Sequence, residues 1–193
     1  MDFLSWDWLL VGLFMAGLAY TLIVVKNEQA NYLKNALTIN ILKFRFKVPA
    51  WWGLERANDQ HIIFERKDTR YDWKAELVWV PESNSEQKLE SAEIFKKKLA
   101  ELQIEFDRDT TIIKNPTDFQ ERPEVKNGKL EIIRIEGTAT QAKEHRLYYD
   151  AFFIRSKEMQ GHLYCSSRSS ILNGAVEGPY FEQAINNFEI VPD

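Results

Sequence analysis

Trp8 to Val25 reads WLLVGLFMAGLAYTLIVV, 18 residues with no charge, bounded by Asp7 and Lys26. With Phe3 to Trp6 the apolar zone covers residues 3–25. A helix rising 1.5 Å per residue needs about 20 residues to cross the hydrocarbon core of a bilayer. The segment is therefore expected to be a single-pass anchor in contact with lipid. Trp8, Gly12, Ala16, Tyr20 and Val25 mark the span. Trp8 and Tyr20 are rings suited to an interface, and Gly12 and Ala16 form a small-xxx-small pair that permits close helix packing. A cleaved signal peptide wants a basic start, whereas MDFLSWD is acidic. No Lys or Arg precedes the span, and Lys26, Lys34, Lys43, Arg45 and Lys47 follow it. The positive-inside rule places the rest of the chain in the cytoplasm, at the inner or plasma membrane. The periplasm is the alternative, and Cys165, the only cysteine, does not decide between them.

The remaining sequence has the composition of a folded domain. Of 193 residues, 45% are hydrophobic and 28% charged, with a net charge of −4. That balance argues against a general nucleic-acid binder, which needs a basic surplus. One cysteine excludes a disulfide framework and a cysteine-rich zinc cluster. The domains read as 1–25 anchor, 26–37 helical stalk and 38–193 α+β domain.

Leu42, Phe44, Phe46 and Val48 alternate with Lys43, Arg45 and Lys47, the period of a half-buried strand. His61–Arg66 and Trp73–Trp79 give two more strands. Ser83 and Glu86 have capping-box spacing. Leu89, Ala92, Phe95, Leu99 and Leu102 follow at helical spacing, predicting an amphipathic helix of about five turns. Residues 107–127 are polar and carry a short strand at 110–113. Three strands then span 129–140, 144–155 and 161–169. Pro179 suits the first turn of a last helix, whose apolar face is Phe181, Ala184, Ile185 and Phe188. Strands 130–135 and 148–154 are apolar on both faces, so helices should cover both sides of a central antiparallel sheet.

This arrangement resembles the Mog1/PsbP-like superfamily and its bacterial relatives. The likeness lies in Phe46-Lys47-Val48-Pro49-Ala50-Trp51-Trp52, the helix that follows the first strands, GHLYCSSRSS at 161–170 and YFEQAINNFEI at 180–190. It implies an α+β sandwich and a non-catalytic role: an accessory or assembly subunit with a protein partner. The superfamily holds extrinsic photosystem II subunits, a Ran binder, envelope proteins and effector chaperones. It has no shared active site to carry over, and this chain departs from it in keeping an N-terminal span.

No phosphate-binding glycine loop is present, and no cofactor or metal is expected. Three histidines are too dispersed along the chain to converge on one ion. A hydrolase built on His145, Asp150 and Cys165 is the enzymatic alternative, and it requires those side chains to meet. Lys43, Arg45 and Lys47 could meet anionic lipid headgroups, worth roughly 1 kcal/mol each, or form a solvated face. Trp51 and Trp52 are adjacent, so in extended chain they point opposite ways and cannot share one core. The expected partner surface is therefore Trp51 and Trp52 with Arg70 and Tyr71, the partner being a membrane protein complex or another protein. A binder of lipids or hydrophobic segments is the third reading, and it requires an exposed apolar groove.

Overall fold

The computed structural model describes residues 3–66 and 73–191. Its elements are α1 (Phe3–Asn35), β1 (Leu37–Ile41), β2 (Phe44–Val48), β3 (Gly53–Asn58), β4 (His61–Glu65), β5 (Lys74–Pro81), α2 (Ser91–Glu101), β6 (Ile104–Phe106), β7 (Ile113–Lys114), α3 (Thr117–Gln120), α4 (Pro123–Lys126), β8 (Leu130–Gln141), β9 (His145–Ser156), β10 (Gly161–Ser169), α5 (Ile171–Asn186) and β11 (Glu189–Ile190).

Among the described residues the strands form two sheets. The larger has eight strands in the order β3-β4-β5-β10-β9-β8-β6, with β7 also on β8, and every pairing is antiparallel. β8, β9 and β10 form its centre, with Ile133 opposite Phe153 and Tyr164 opposite Phe153. The smaller sheet is β1-β2-β11.

The two apolar faces of β8 and β9 have separate cores. On one, Ile132, Phe152, Ile154 and Leu163 pack with Phe181, Ala184, Ile185 and Phe188 of α5 and with Ile41, Phe44 and Phe46 of the small sheet. On the other, Ile133, Ile135, Tyr149, Phe153 and Tyr164 lie beneath Ile94, Phe95 and Leu99 of α2. This is the α+β layering around a covered antiparallel sheet that alternation and two-faced apolarity require.

Several local expectations are corrected. The chain forms β1 directly after α1, and Leu42 takes φ 50° in the tight turn to β2. The Ser83–Glu86 box is made, with the Ser83 Oγ and N–H both donating to Glu86 Oε2 at 2.8 and 3.0 Å. It holds a single 3₁₀ turn, Glu86–Lys88, rather than starting α2. Leu89 is left exposed, and α2 begins at Ser91 with 11 residues. Residues 110–113 contribute only Ile113 to a two-residue strand. α5 begins at Ile171, so Pro179 lies inside it.

α1 is one unbroken helix of 33 residues. Its described side chains from Trp8 to Ile23 are exposed, including Leu13, Phe14 and Leu22 at 64–67%. Among the described residues no helix is long and apolar enough to cross a membrane. The described part of the uncharged run ends at Val24, because the Val25 side chain lies outside it. The span expected from the sequence is thus unsupported by the described residues.

The last turns of α1 behave differently. Tyr32 is 1% exposed, and its hydroxyl donates to the Lys47 carbonyl at 2.5 Å. Burial pushes its phenol up to about 12. Tyr32→Ala should cost about 3 kcal/mol, as other large core truncations do. It should also open the Asn35–Ala36 junction to protease in limited proteolysis, while Tyr32→Phe should leave that junction protected.

Candidate functional site

Trp51 and Trp52 follow β2 in a turn in which the Trp52 N–H donates to the Pro49 carbonyl at 3.2 Å. Their side chains diverge, as adjacency requires. Trp52 is 3% exposed, between Trp73 (ring centroids 4.5 Å) and Phe64 (5.5 Å). It is a core residue, which corrects its place in the expected partner surface. Trp51 is 37% exposed and meets Tyr180 edge-on at 5.1 Å and Tyr32 at 6.2 Å. Tyr32 and Tyr180 also meet at 5.7 Å. The end of α1, the post-β2 turn and α5 thus share one aromatic seam.

Beneath the seam lies Glu177, 2% exposed in the middle of α5. Its Oε2 accepts from Trp52 Nε1 at 2.8 Å and from Trp51 Nε1 at 3.4 Å. Its Oε1 is paired with Arg66. A buried carboxylate persists only with such partners. Arg66 directly follows β4, so Glu177 ties α5 both to the end of that strand and to the turn after β2. Sequence reasoning missed Glu177, Arg66, Tyr32 and Tyr180. One signal was present: Glu177 precedes Phe181 and Ala184 by four and seven residues, which puts a carboxylate on the apolar stripe of a helix. Starting that helix at Pro179 hid the pattern. Arg70 and Tyr71, the other two residues expected here, lie outside the described residues.

The headgroup candidates have local partners. Lys43 Nζ lies 3.4 Å from Glu158, and Arg45 and Lys47 lie 3.6 and 3.8 Å from the two oxygens of Glu189. These half-exposed pairs screen the cationic stripe. Trp8, Gly12, Ala16 and Tyr20 are all exposed on α1.

The proposed hydrolase trio does not assemble. Cys165 is fully buried in the α5-side core, and burial raises its thiol well above the usual value. His145 is exposed at the start of β9 and, among the described residues, reaches only Glu144, at 3.9 Å. Asp150 belongs to a different cluster, around Arg134. The Arg134 guanidinium meets Asp150 at 3.1 and 3.2 Å and Glu182 at 2.7 Å, pairs with Glu136, and lies 4.8 Å over the Phe152 ring. His162 is stacked on Phe153 at 4.4 Å, 3.5 Å from Glu82, and burial holds it below its usual range. Among the described residues no group of three or more His, Cys, Asp or Glu could hold a metal ion.

A cavity of about 1100 Å³ opens between α2, β6 and β8. Its apolar floor, Leu99, Ile104, Ile133 and Ile135, is at most 6% exposed. Lys96, Lys114, Lys143 and Glu105 also line it, so the cavity has mixed polarity and is not the exposed apolar groove that lipid capture requires.

No protein-family model matches this sequence, and no curated protein sequence does. Solved structures do. The Ran-binding protein Mog1p of Saccharomyces cerevisiae aligns over 81% of this chain and 96% of its own, at 9% identity and a TM-score of 0.50. A Pseudomonas aeruginosa protein of unknown function, described as a putative regulator, aligns over 82% and 97%, at 13% identity and a TM-score of 0.47. The cyanobacterial PsbP of Synechocystis aligns over 77% and 86%, at 8% identity and a TM-score of 0.44. The likeness to Mog1p gives the class: this is an α+β chain with a Mog1-like fold. At such identities the likeness is one of fold.

Proposed function

We propose that the chain is a non-catalytic, membrane-anchored accessory protein that presents a protein-binding surface beside the membrane. The observation that carries this reading is the seam at Tyr32. It joins an exposed apolar helix to the domain, and the half-exposed Trp51 ring sits in the joint. Monomeric proteins rarely leave contiguous apolar patches larger than a few hundred Å² in water. The twelve large apolar side chains exposed between Trp6 and Ile23 call for a covering, and a bilayer supplies it. The uncharged run of 18 residues and the basic residues after it support one span with the domain in the cytoplasm.

The partner surface is the corner around Trp51. Protein binding has a precedent on this fold in the Ran-binding yeast neighbour. Anchoring raises the local concentration of the domain near a membrane partner, so modest contacts suffice. The test is extraction of the full chain in mild detergent, followed by native sizing and identification of co-purified protein. A stoichiometric complex that Trp51→Ala weakens at least about tenfold, a loss typical of an interface anchor, supports the reading. A lone chain, or a complex indifferent to Trp51, contradicts it.

A further inference from the structure

β3 ends the large sheet: among the described residues its backbone pairs with β4 and with no other strand. In an antiparallel pair alternate residues direct their N–H and C=O groups away from the partner. The outer edge of Gly53–Asn58 therefore offers a row of unused donors and acceptors, a template for a further strand. Its side chains are open as well. Leu54 is 47% exposed, Glu55 and Arg56 are exposed, and Trp51 precedes the strand.

The other edges are less available. β11 has two residues and β6 three. β1 is as long as β4, but its Asn40 carbonyl already accepts from Arg56 Nη2 at 3.1 Å. Edge strands are usually guarded by prolines, lysines or bulges. β3 has no proline or lysine, and its irregularity lies at the far end, between Arg56 and Asn58. The Gly53–Glu55 end, next to Trp51, is unguarded.

We propose that the protein partner docks by adding an extended segment to the outer edge of β3. This rests on the accessory reading and specifies its site. Register fixes the chemistry of the segment. Leu54 stands opposite the buried Phe64 and so projects toward the α5 side of the sheet. Glu55 projects to the other side and has no ion-pair partner among the described residues. The incoming strand therefore carries an apolar residue beside Leu54 and Trp51, and a Lys or Arg next in sequence beside Glu55. Cross-strand neighbours of these types favour pairing.

The experiment is hydrogen–deuterium exchange with mass spectrometry on the full-length complex isolated in mild detergent. It is compared with the same chain after its partner has been stripped by salt. Side-chain docking alone would leave the backbone amides of β3 exchanging freely. Strand addition should slow peptides covering 53–58 at least about tenfold, since the outward amides gain partners. Leu54→Pro and Glu55→Pro are made in parallel, because one of the two removes an outward N–H without touching the β4 ladder. That folded variant should lose the complex. A complex that forms with β3 amides unprotected, or that survives in the folded proline variant, overturns the edge site and leaves the accessory reading standing. Absence of any second protein from the wild-type preparation overturns both. Protection of β3 in a homo-oligomer assigns the edge to a second copy and overturns the proposal as stated.

Discussion

Arg134→Met should destabilise the domain by about 3–5 kcal/mol above neutral pH, where Asp150 is ionised, the range for removing one partner of a buried ion pair. Among the described residues Arg134 is the one cation facing three carboxylates, Asp150, Glu136 and Glu182, on the α5 side of β8 and β9. The Asp150 side chain is 3% exposed, and a methionine would leave its charge without compensation. The loss should depend on pH with a definite sign. Burial raises the Asp150 carboxyl to about 7, against the opposing pull of Arg134. The folded state therefore holds that proton over a range in which the unfolded chain has released it. Stability from this group is greatest below about pH 4 and falls as pH rises toward 7, by about 2 kcal/mol between pH 5 and 7. Asp150→Asn should flatten that slope. In Arg134→Met the carboxyl rises further, so the variant should come closest to wild type at the acidic end. Urea denaturation of the three proteins at several pH values measures all of this. A parallel pH profile for wild type and Asp150→Asn would show that folding leaves the Asp150 carboxyl at its unfolded value.

Trp52→Ala should cost about 3–5 kcal/mol, the range for emptying an aromatic site in a core. It removes a ring packed between Trp73 and Phe64, and a donor that satisfies the buried Glu177. Trp52→Phe keeps most of the packing and loses the donor, so about 1.5–3 kcal/mol should remain, the value of a hydrogen bond to a charged group. Trp51→Ala should cost about 1 kcal/mol, because its ring is partly in water and its contact with Glu177 is long. Two adjacent tryptophans thus separate into a fold residue and a surface residue, and thermal denaturation orders them. Equal losses for Trp51→Ala and Trp52→Ala would put both rings in the core and remove the proposed surface.

The layers of the fold were legible because they follow from periodicity. Alternation along 44–48 and 73–79, and two-faced apolarity in 130–135 and 148–154, gave the strands and required helices on both faces. The helix boundaries were less legible. Capping-box residues close a 3₁₀ turn as readily as an α-helix, so Ser83 and Glu86 could not say how far the turn continues. Pro179 is tolerated inside α5, where a sequence reading takes it for a start. The aromatic pair Trp51–Trp52 was found from adjacency alone, but its supports were not. Tyr32, Arg66 and Glu177 come from three distant segments, and only the fold brings them together. The edge character of β3 is likewise a property of sheet order, which no local pattern encodes.

The most direct test of the account is alkaline carbonate extraction of membranes containing the full chain, alongside a variant lacking residues 3–25. The account predicts that the full chain stays with the bilayer pellet and that the shortened chain, still folded by circular dichroism, moves to the supernatant. A full chain released by carbonate would contradict the anchor, and with it a domain that works beside the membrane.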